Sequence, residues 1–180
     1  MIGLADQLTL ARIVATPFVV ILFVWDFPGH AYWATALFIA AMATDQIDGW
    51  LARRQGRTTP LGSLLDPVAD KVLVLATLIV LVGEGIFAGW MVAAIVAREI
   101  LVSGLRLAAV ERGVIIQARD LGKLKTWAQT VAAAIGGFAL AGAWSESVAW
   151  WASLVAVVLT WASGLDYARS APQLFRATSS

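Results

Sequence analysis

Cysteine is absent from this chain of 180 residues, so it can form neither a disulfide nor a thiolate metal site. Histidine occurs once, at His30, which excludes a metal centre built on several imidazoles. His30 itself is expected in a short loop as a solvated or interfacial side chain. Charge is scarce: 14% of residues are charged, against roughly 25% in an ordinary soluble domain, and 60% are hydrophobic. Mean hydropathy is +0.80. A chain this poor in charge cannot clothe a large aqueous surface and reads as an integral membrane protein. Its first residues lack the basic n-region and the cleavage site of a removable signal peptide. No nucleic-acid partner is expected.

What the chain has in abundance is long apolar segments, separated by short polar or glycine-containing breaks. Leu8–Trp25 is almost wholly apolar, with Arg12 its only charge, and is long enough to cross a bilayer. DFPGH (26–30) breaks it. A second segment runs from Ala31 through Leu51. Thr59-Pro60 supplies a hydroxyl N-cap and a proline for the first helical position, opening a third segment that runs to about Val82. GEGIF (83–87) turns the chain, and the fourth segment runs from Ala88 to about Val110. A polar linker, 111–125, precedes a fifth segment over about Thr126–Ala143. Residues 144–147 turn, and a sixth segment ends near Leu165. The expected fold is an all-α integral membrane protein of six transmembrane helices, one domain over residues 1–180. Residues 1–7 form a short interfacial segment and 171–180 a polar tail.

The 13 lysines and arginines sharpen this picture. They fall at the N-terminal end, in the second-to-third and fourth-to-fifth connections with their flanking helix ends, or in the tail. The other three connections have none. The positive-inside rule then puts both termini and those two connections in the cytoplasm, in a bacterial inner membrane. Trp25, Trp33, Trp90, Trp144 and Trp150 fit an aromatic belt at the opposite face.

The chemistry concentrates in DQIDGWLARRQGRTTPLGSLLDPVAD, residues 45–70. Four carboxylates form two pairs, Asp45/Asp48 and Asp66/Asp70. On a helix, spacings of three and four residues put both members on one side. Four acids between apolar segments repel one another unless cations intervene. Oxygen ligands of this kind favour Mg²⁺, Mn²⁺ or Ca²⁺. Arg53, Arg54 and Arg57 lie between the pairs and suit phosphate. Taken from spacing and charge alone, an intramembrane cation pathway or proton relay is an alternative. Six segments with no evident inverted repeat make that an awkward transporter.

The full pattern is Asp45-x2-Asp48-Gly49-x2-Ala52-Arg53-x8-Gly62-x3-Asp66-x3-Asp70. It resembles the signature of the CDP-alcohol phosphotransferase family, with every position filled. Gly49, Ala52 and Gly62 remove side-chain bulk where a nucleotide must come close to backbone. Arg53 offers a planar fork to phosphate, and Thr59 touches the nucleotide or only caps its helix. The resemblance implies that a CDP-linked lipid binds with its pyrophosphate on two Mg²⁺ or Mn²⁺ ions held by Asp45, Asp48, Asp66 and Asp70. An alcohol then attacks the lipid-bearing phosphorus, CMP leaves, and Asp70 is the general base.

A second set of cations bears on the alcohol. Arg98 and Arg106 are eight residues apart, close to one helical face. Lys123 and Lys125 stand near the start of the fifth segment, where a helix N-terminus attracts anions. These cations exceed the need of one pyrophosphate, and a phosphate on the acceptor accounts for the surplus. Setting topology or meeting anionic headgroups is the plainer role for each taken singly. LTLAR (8–12), AREILVSGLR (97–106), GKLKT (122–126) and TWASGLDY (160–167) are similar to one branch of the family, which transfers phosphatidyl from CDP-diacylglycerol to glycerol-3-phosphate. The implied partners are those two substrates and membrane lipids, with a homodimer usual in the family. Inositol phosphate, phosphatidylglycerol and serine stay open as acceptors.

Overall fold

A computed structural model of the chain describes residues 4–55, 60–111 and 120–170, with side-chain surroundings for 10–44, 71–109 and 121–169. The described residues form six α-helices and no strand. They are α1 (Leu4–Val24), α2 (His30–Gln55), α3 (Pro60–Gly83), α4 (Gly89–Glu111), α5 (Asp120–Leu140) and α6 (Glu146–Ser170).

Three tight turns, at 25–29, 84–88 and 141–145, connect α1 to α2, α3 to α4 and α5 to α6. Each contains a glycine with positive φ: Gly29, Gly85 and Gly142. At α3 the Ile86 amide reaches back to the Leu81 carbonyl (3.0 Å) and the Gly85 amide to Val82 (3.1 Å). At α5 the Ala143 amide bonds to Phe138 (2.9 Å) and the Gly142 amide to Ala139 (2.9 Å). Both are Schellman caps, which satisfy the last carbonyls of a helix and need a left-handed residue that glycine adopts without strain. Gly142 therefore stops α5 three residues before the expected Ala143. Ser145 then occupies the N-cap position of α6, and Glu146 places an acid in its first turn.

Two other boundaries differ from the sequence expectation. α5 starts at Asp120, so the stretch read as linker already contains its first turns, with an acid at the positive end of the helix dipole. α1 starts at Leu4 and runs on past residue 8 without a break. His30 opens α2 rather than lying in a loop. It is half-buried, with Nδ1 3.3 Å from the Leu22 carbonyl and its ring edge-on to Phe27.

α1 packs on α2 and α3, α4 on α6 and α3, and α5 on α6, α2 and α3. The core between them is built from Val19, Phe23, Phe38, Leu73, Leu78, Leu81, Met91 and Ile95. α5 approaches its neighbours through Ala132, Ala133, Gly136 and Gly137. A β-carbon at Gly137 would collide with the Thr35 hydroxyl and lie 3.2 Å from Phe23. One at Gly136 would strike the Phe87 ring and lie 2.9 Å from Leu81. Buried Thr16, Thr35 and Thr77 return their hydroxyls to the carbonyl four residues back, which satisfies these three groups inside the apolar interior.

The outward faces are apolar too: Val14, Phe18, Ile79, Ile100, Leu101 and Val158 are all exposed. Contiguous apolar surface of this kind is uncommon on a protein surrounded by water. Among the described residues one helix, over Glu146–Arg169, is long and apolar enough to cross a membrane, and Leu10–Val24 and Lys71–Gly83 are shorter apolar stretches. α4 and α5 are diluted by the charges they carry, and those charges build the site described next.

Candidate functional site

The signature residues divide between two helix ends. Asp45, Asp48, Gly49, Ala52 and Arg53 lie in the last turns of α2, and Gly62, Asp66 and Asp70 in the first turns of α3. Only residues 56–59 separate the two helices, so both sets stand at the same end of the bundle. Helical backbone puts Asp45 about one turn from Asp48, and Asp66 about one turn from Asp70. α3 continues through Pro67. Thr59 lies outside the described residues, and so do the side chains of Asp45, Asp48, Gly49, Ala52, Arg53, Gly62, Asp66 and Asp70. Among the described residues no group of three His, Cys, Asp or Glu is placed to hold a metal. All four signature acids are outside that set. Their donor chemistry, four carboxylates with hard oxygen donors on paired helix turns, suits Mg²⁺ or Mn²⁺.

One residue after Asp70 the side chains are described, and they lead to a buried polar cluster centred on Glu99. Glu99 and Arg98 are each 4% exposed. The Arg98 guanidinium donates through Nη1 to Glu99 Oε1 (3.1 Å) and through Nη2 to Ser163 Oγ (3.0 Å). Lys125 donates to the same Glu99 oxygen. Gln129 Nε2 lies 3.3 Å from that oxygen and donates to Thr160 Oγ1 at 2.8 Å. On the other side, Lys71 Nζ is 3.6 Å from Glu99 Oε2 and donates to Ser103 Oγ at 2.7 Å. α3, α4, α5 and α6 each contribute to this cluster.

Local sequence explains how so much polarity fits inside. Gly164 faces Arg98: a β-carbon there would sit 3.1 Å from Arg98 Nε and 3.3 Å from Cγ, so glycine leaves the stem its channel. Ser163 and Thr160, on the same helix, supply acceptors to Arg98 and Gln129. Three cations around one carboxylate leave the cluster net positive. A buried charge is tolerable when paired and hydrogen-bonded, and Glu99 is what makes Arg98 and Lys125 tolerable here.

Of the cations expected to hold an acceptor phosphate, Arg98 and Lys125 meet at Glu99. Arg106, two turns further along α4, and Lys123, near the start of α5, are exposed. Lys71, Glu99, Ser103, Gln129, Thr160 and Ser163 were given no role by the sequence reading. A signal for Glu99 was present: an acid next to an arginine inside an apolar segment calls for a partner. Its partners Lys125 and Gln129 are remote in sequence, and no local spacing reveals them.

The sequence profile of the CDP-alcohol phosphatidyltransferase family matches residues 2–162. The chain is similar to the CDP-diacylglycerol–glycerol-3-phosphate 3-phosphatidyltransferase of Bacillus subtilis, with 40% identity over 144 residues, covering 73% of this chain and 75% of the relative. It is 40% identical over 169 residues to the protein of the same name from Shigella flexneri, covering 91% of this chain and 92% of the relative. It is also 38% identical over 168 residues to a probable phosphatidylglycerophosphate synthase of Mycobacterium tuberculosis, covering 92% of this chain and 79% of the relative.

Proposed function

Because the chain belongs to the CDP-alcohol phosphatidyltransferase family, we propose that it transfers the phosphatidyl group of CDP-diacylglycerol to glycerol-3-phosphate, giving phosphatidylglycerophosphate and CMP. The observation that carries this reading is the near full-length similarity to enzymes named for that reaction, in a chain whose signature acids and Glu99 cluster adjoin on α3.

Asp45, Asp48, Asp66 and Asp70 would hold two Mg²⁺ or Mn²⁺ ions, which when bound neutralise the pyrophosphate and the leaving phosphate. Arg53 would add a forked donor for a phosphate oxygen, while Gly49, Ala52 and Gly62 would leave room for the cytidine and Thr59 would touch the nucleotide or only cap its helix. Arg98, Arg106, Lys123 and Lys125 give the acceptor end its positive charge and orient the phosphate of glycerol-3-phosphate. The free primary hydroxyl then faces the lipid-bearing phosphorus. Asp70 takes the hydroxyl proton as the new oxygen–phosphorus bond forms and the bond to CMP breaks. A positioned base of this kind is worth on the order of 10²–10⁴-fold.

The test is CMP release from CDP-diacylglycerol in detergent with Mg²⁺, offered glycerol-3-phosphate, glycerol, inositol phosphate, serine and phosphatidylglycerol in turn. Glycerol-3-phosphate is expected to be turned over best and free glycerol poorly, since glycerol leaves the cations of the acceptor end unpaired. Efficient use of serine or phosphatidylglycerol, without use of glycerol-3-phosphate, would refute the acceptor and leave the transfer chemistry standing.

In the same reading all six helices cross the cell membrane, with the signature end, both termini and the Glu99 cluster toward the cytoplasm. The exposed apolar flanks support this. So do Trp25, Trp33, Trp90, Trp144 and Trp150, all exposed and all near the end that carries the three glycine turns and no lysine or arginine. Cysteines introduced at Glu84 and Ser145 are expected to react with an impermeant thiol reagent added outside intact cells, and one at Gln55 to stay unlabelled. With no native cysteine the background is clean. Labelling at Gln55 from outside would invert the orientation.

A further inference from the structure

We infer that Lys71 is a binding residue for the phosphate of the acceptor, set in place by Ser103 and Glu99. The inference rests on the transfer reading above and adds to it a contact that the signature does not contain.

Three cations surround Glu99, and they differ in what they can still reach. The side chains of Arg98 and Lys125 are 5% and 10% exposed, whereas that of Lys71 is 37% exposed. Arg98 is engaged by Glu99 and Ser163, and Lys125 by Glu99. An ammonium has three protons to donate. Ser103 takes one from Lys71 at 2.7 Å, Glu99 Oε2 faces it at 3.6 Å, and the open side of the side chain is left to a solute. Lys71 is therefore the member of the cluster that presents positive charge outward.

Its place in the chain gives that charge a use. Lys71 directly follows Asp70 on α3, so its ammonium stands at the same end of that helix as the residue proposed to receive the hydroxyl proton. Glycerol-3-phosphate needs this arrangement, with its phosphate fixed a few bonds from the hydroxyl that reacts. The cluster carries two positive charges in excess of Glu99, and a phosphate monoester carries about −1.5 to −2 at neutral pH. The charges match for a phosphomonoester and not for a neutral alcohol. Ser103 and Glu99 matter because a free lysine stem has many rotamers, and ordering them on binding weakens affinity. With Nζ already docked between α3 and α4, that ordering is complete before the ligand arrives.

The experiment is steady-state kinetics of the full chain in detergent with Mg²⁺, measuring KM separately for glycerol-3-phosphate and CDP-diacylglycerol. Lys71→Met is expected to raise KM for glycerol-3-phosphate by about 10-fold or more, as loss of a charge-assisted contact does. KM for CDP-diacylglycerol should stay within about two-fold, and Lys71→Arg should recover most of the loss because it keeps the charge. Ser103→Ala, which keeps the ammonium and removes its anchor, should raise KM for glycerol-3-phosphate by less. If Lys71 only ties α3 to α4, Lys71→Met lowers thermal stability or kcat without separating the two KM values, and the inference is overturned. Should Lys71→Met fail to fold, an unchanged glycerol-3-phosphate KM in Ser103→Ala overturns it instead. Wild-type enzyme that transfers to another acceptor and not to glycerol-3-phosphate would refute the transfer reading itself, and the inference with it.

Discussion

Asp45→Asn, Asp48→Asn, Asp66→Asn and Asp70→Asn each cut CMP release by about 10²- to 10⁴-fold, the range set by loss of a positioned base or of one charge-stabilising group. The substitution preserves shape and removes the negative charge, so helix content and melting temperature should stay near wild type. The helical backbone of α2 and α3 makes the four acids two pairs, one on each helix end, and in the proposed site each pair would need both members to offset cation charge. The variants should differ in one respect. Asp70→Asn keeps KM for CDP-diacylglycerol near wild type if proton removal is its main task, while the other three lose affinity for the nucleotide lipid. Circular dichroism beside the CMP assay separates lost chemistry from lost fold. Near-normal turnover in any one of the four would refute a site that uses all of them.

Glu99→Ala destabilises the fold by about 3–5 kcal/mol, the usual cost of removing one partner from a buried ion pair. The cause is what remains. Arg98 and Lys125 stay buried without the carboxylate both donate to, and Gln129 loses one of its two acceptors. Glu99→Gln retains an acceptor oxygen and should fall between Glu99→Ala and wild type. Combining Glu99→Ala with Lys125→Met should recover part of the loss, because the second change removes a charge the first left uncompensated. Thermal unfolding in detergent measures all three. A Glu99→Ala variant as stable as wild type would mean that solvent reaches the cluster and screens it.

The helices were legible from the chain because their signals are local. Apolar runs bounded by DFPGH and GEGIF gave α1 to α4 to within a few residues. The errors have local causes as well. Residues 120–125 read as linker because charged residues and a glycine interrupt them, yet they extend α5, with Lys125 turned to the Glu99 cluster and Leu121, Lys123 and Leu124 exposed. Ala143 was placed inside the fifth helix because it is apolar, and the positive φ of Gly142 ends that helix first.

The site was legible in two different degrees. The acidic signature is compact, and helical spacing alone pairs its members. The Glu99 cluster joins residues 26, 30 and 65 positions apart in the chain. No periodicity connects Arg98 to Ser163, or Gly164 to the arginine stem it accommodates. AREILVSGLR and TWASGLDY stood out as similar to a family branch, but only packing shows that they touch. Gly136 and Gly137 went unremarked for the same reason: their need to be glycine lies on α2, the α3–α4 turn and α1, not on their own helix.

The span of the Glu99 cluster across four helices also bears on how the protein is made. A ribosome delivers the signature early: residues 45–70 are complete before α4 has been synthesised. At that stage Lys71 has no Ser103 or Glu99. When α4 emerges, Arg98 and Glu99 arrive together, one beside the other, while Lys125, Gln129, Thr160 and Ser163 are still to come. Arg98 gains its second partner only with α6. In the proposed reading the nascent chain thus carries the acids that would hold metal well before the cluster at the acceptor end is ordered. The buried cluster around Glu99 is therefore complete only once the last helix has been translated.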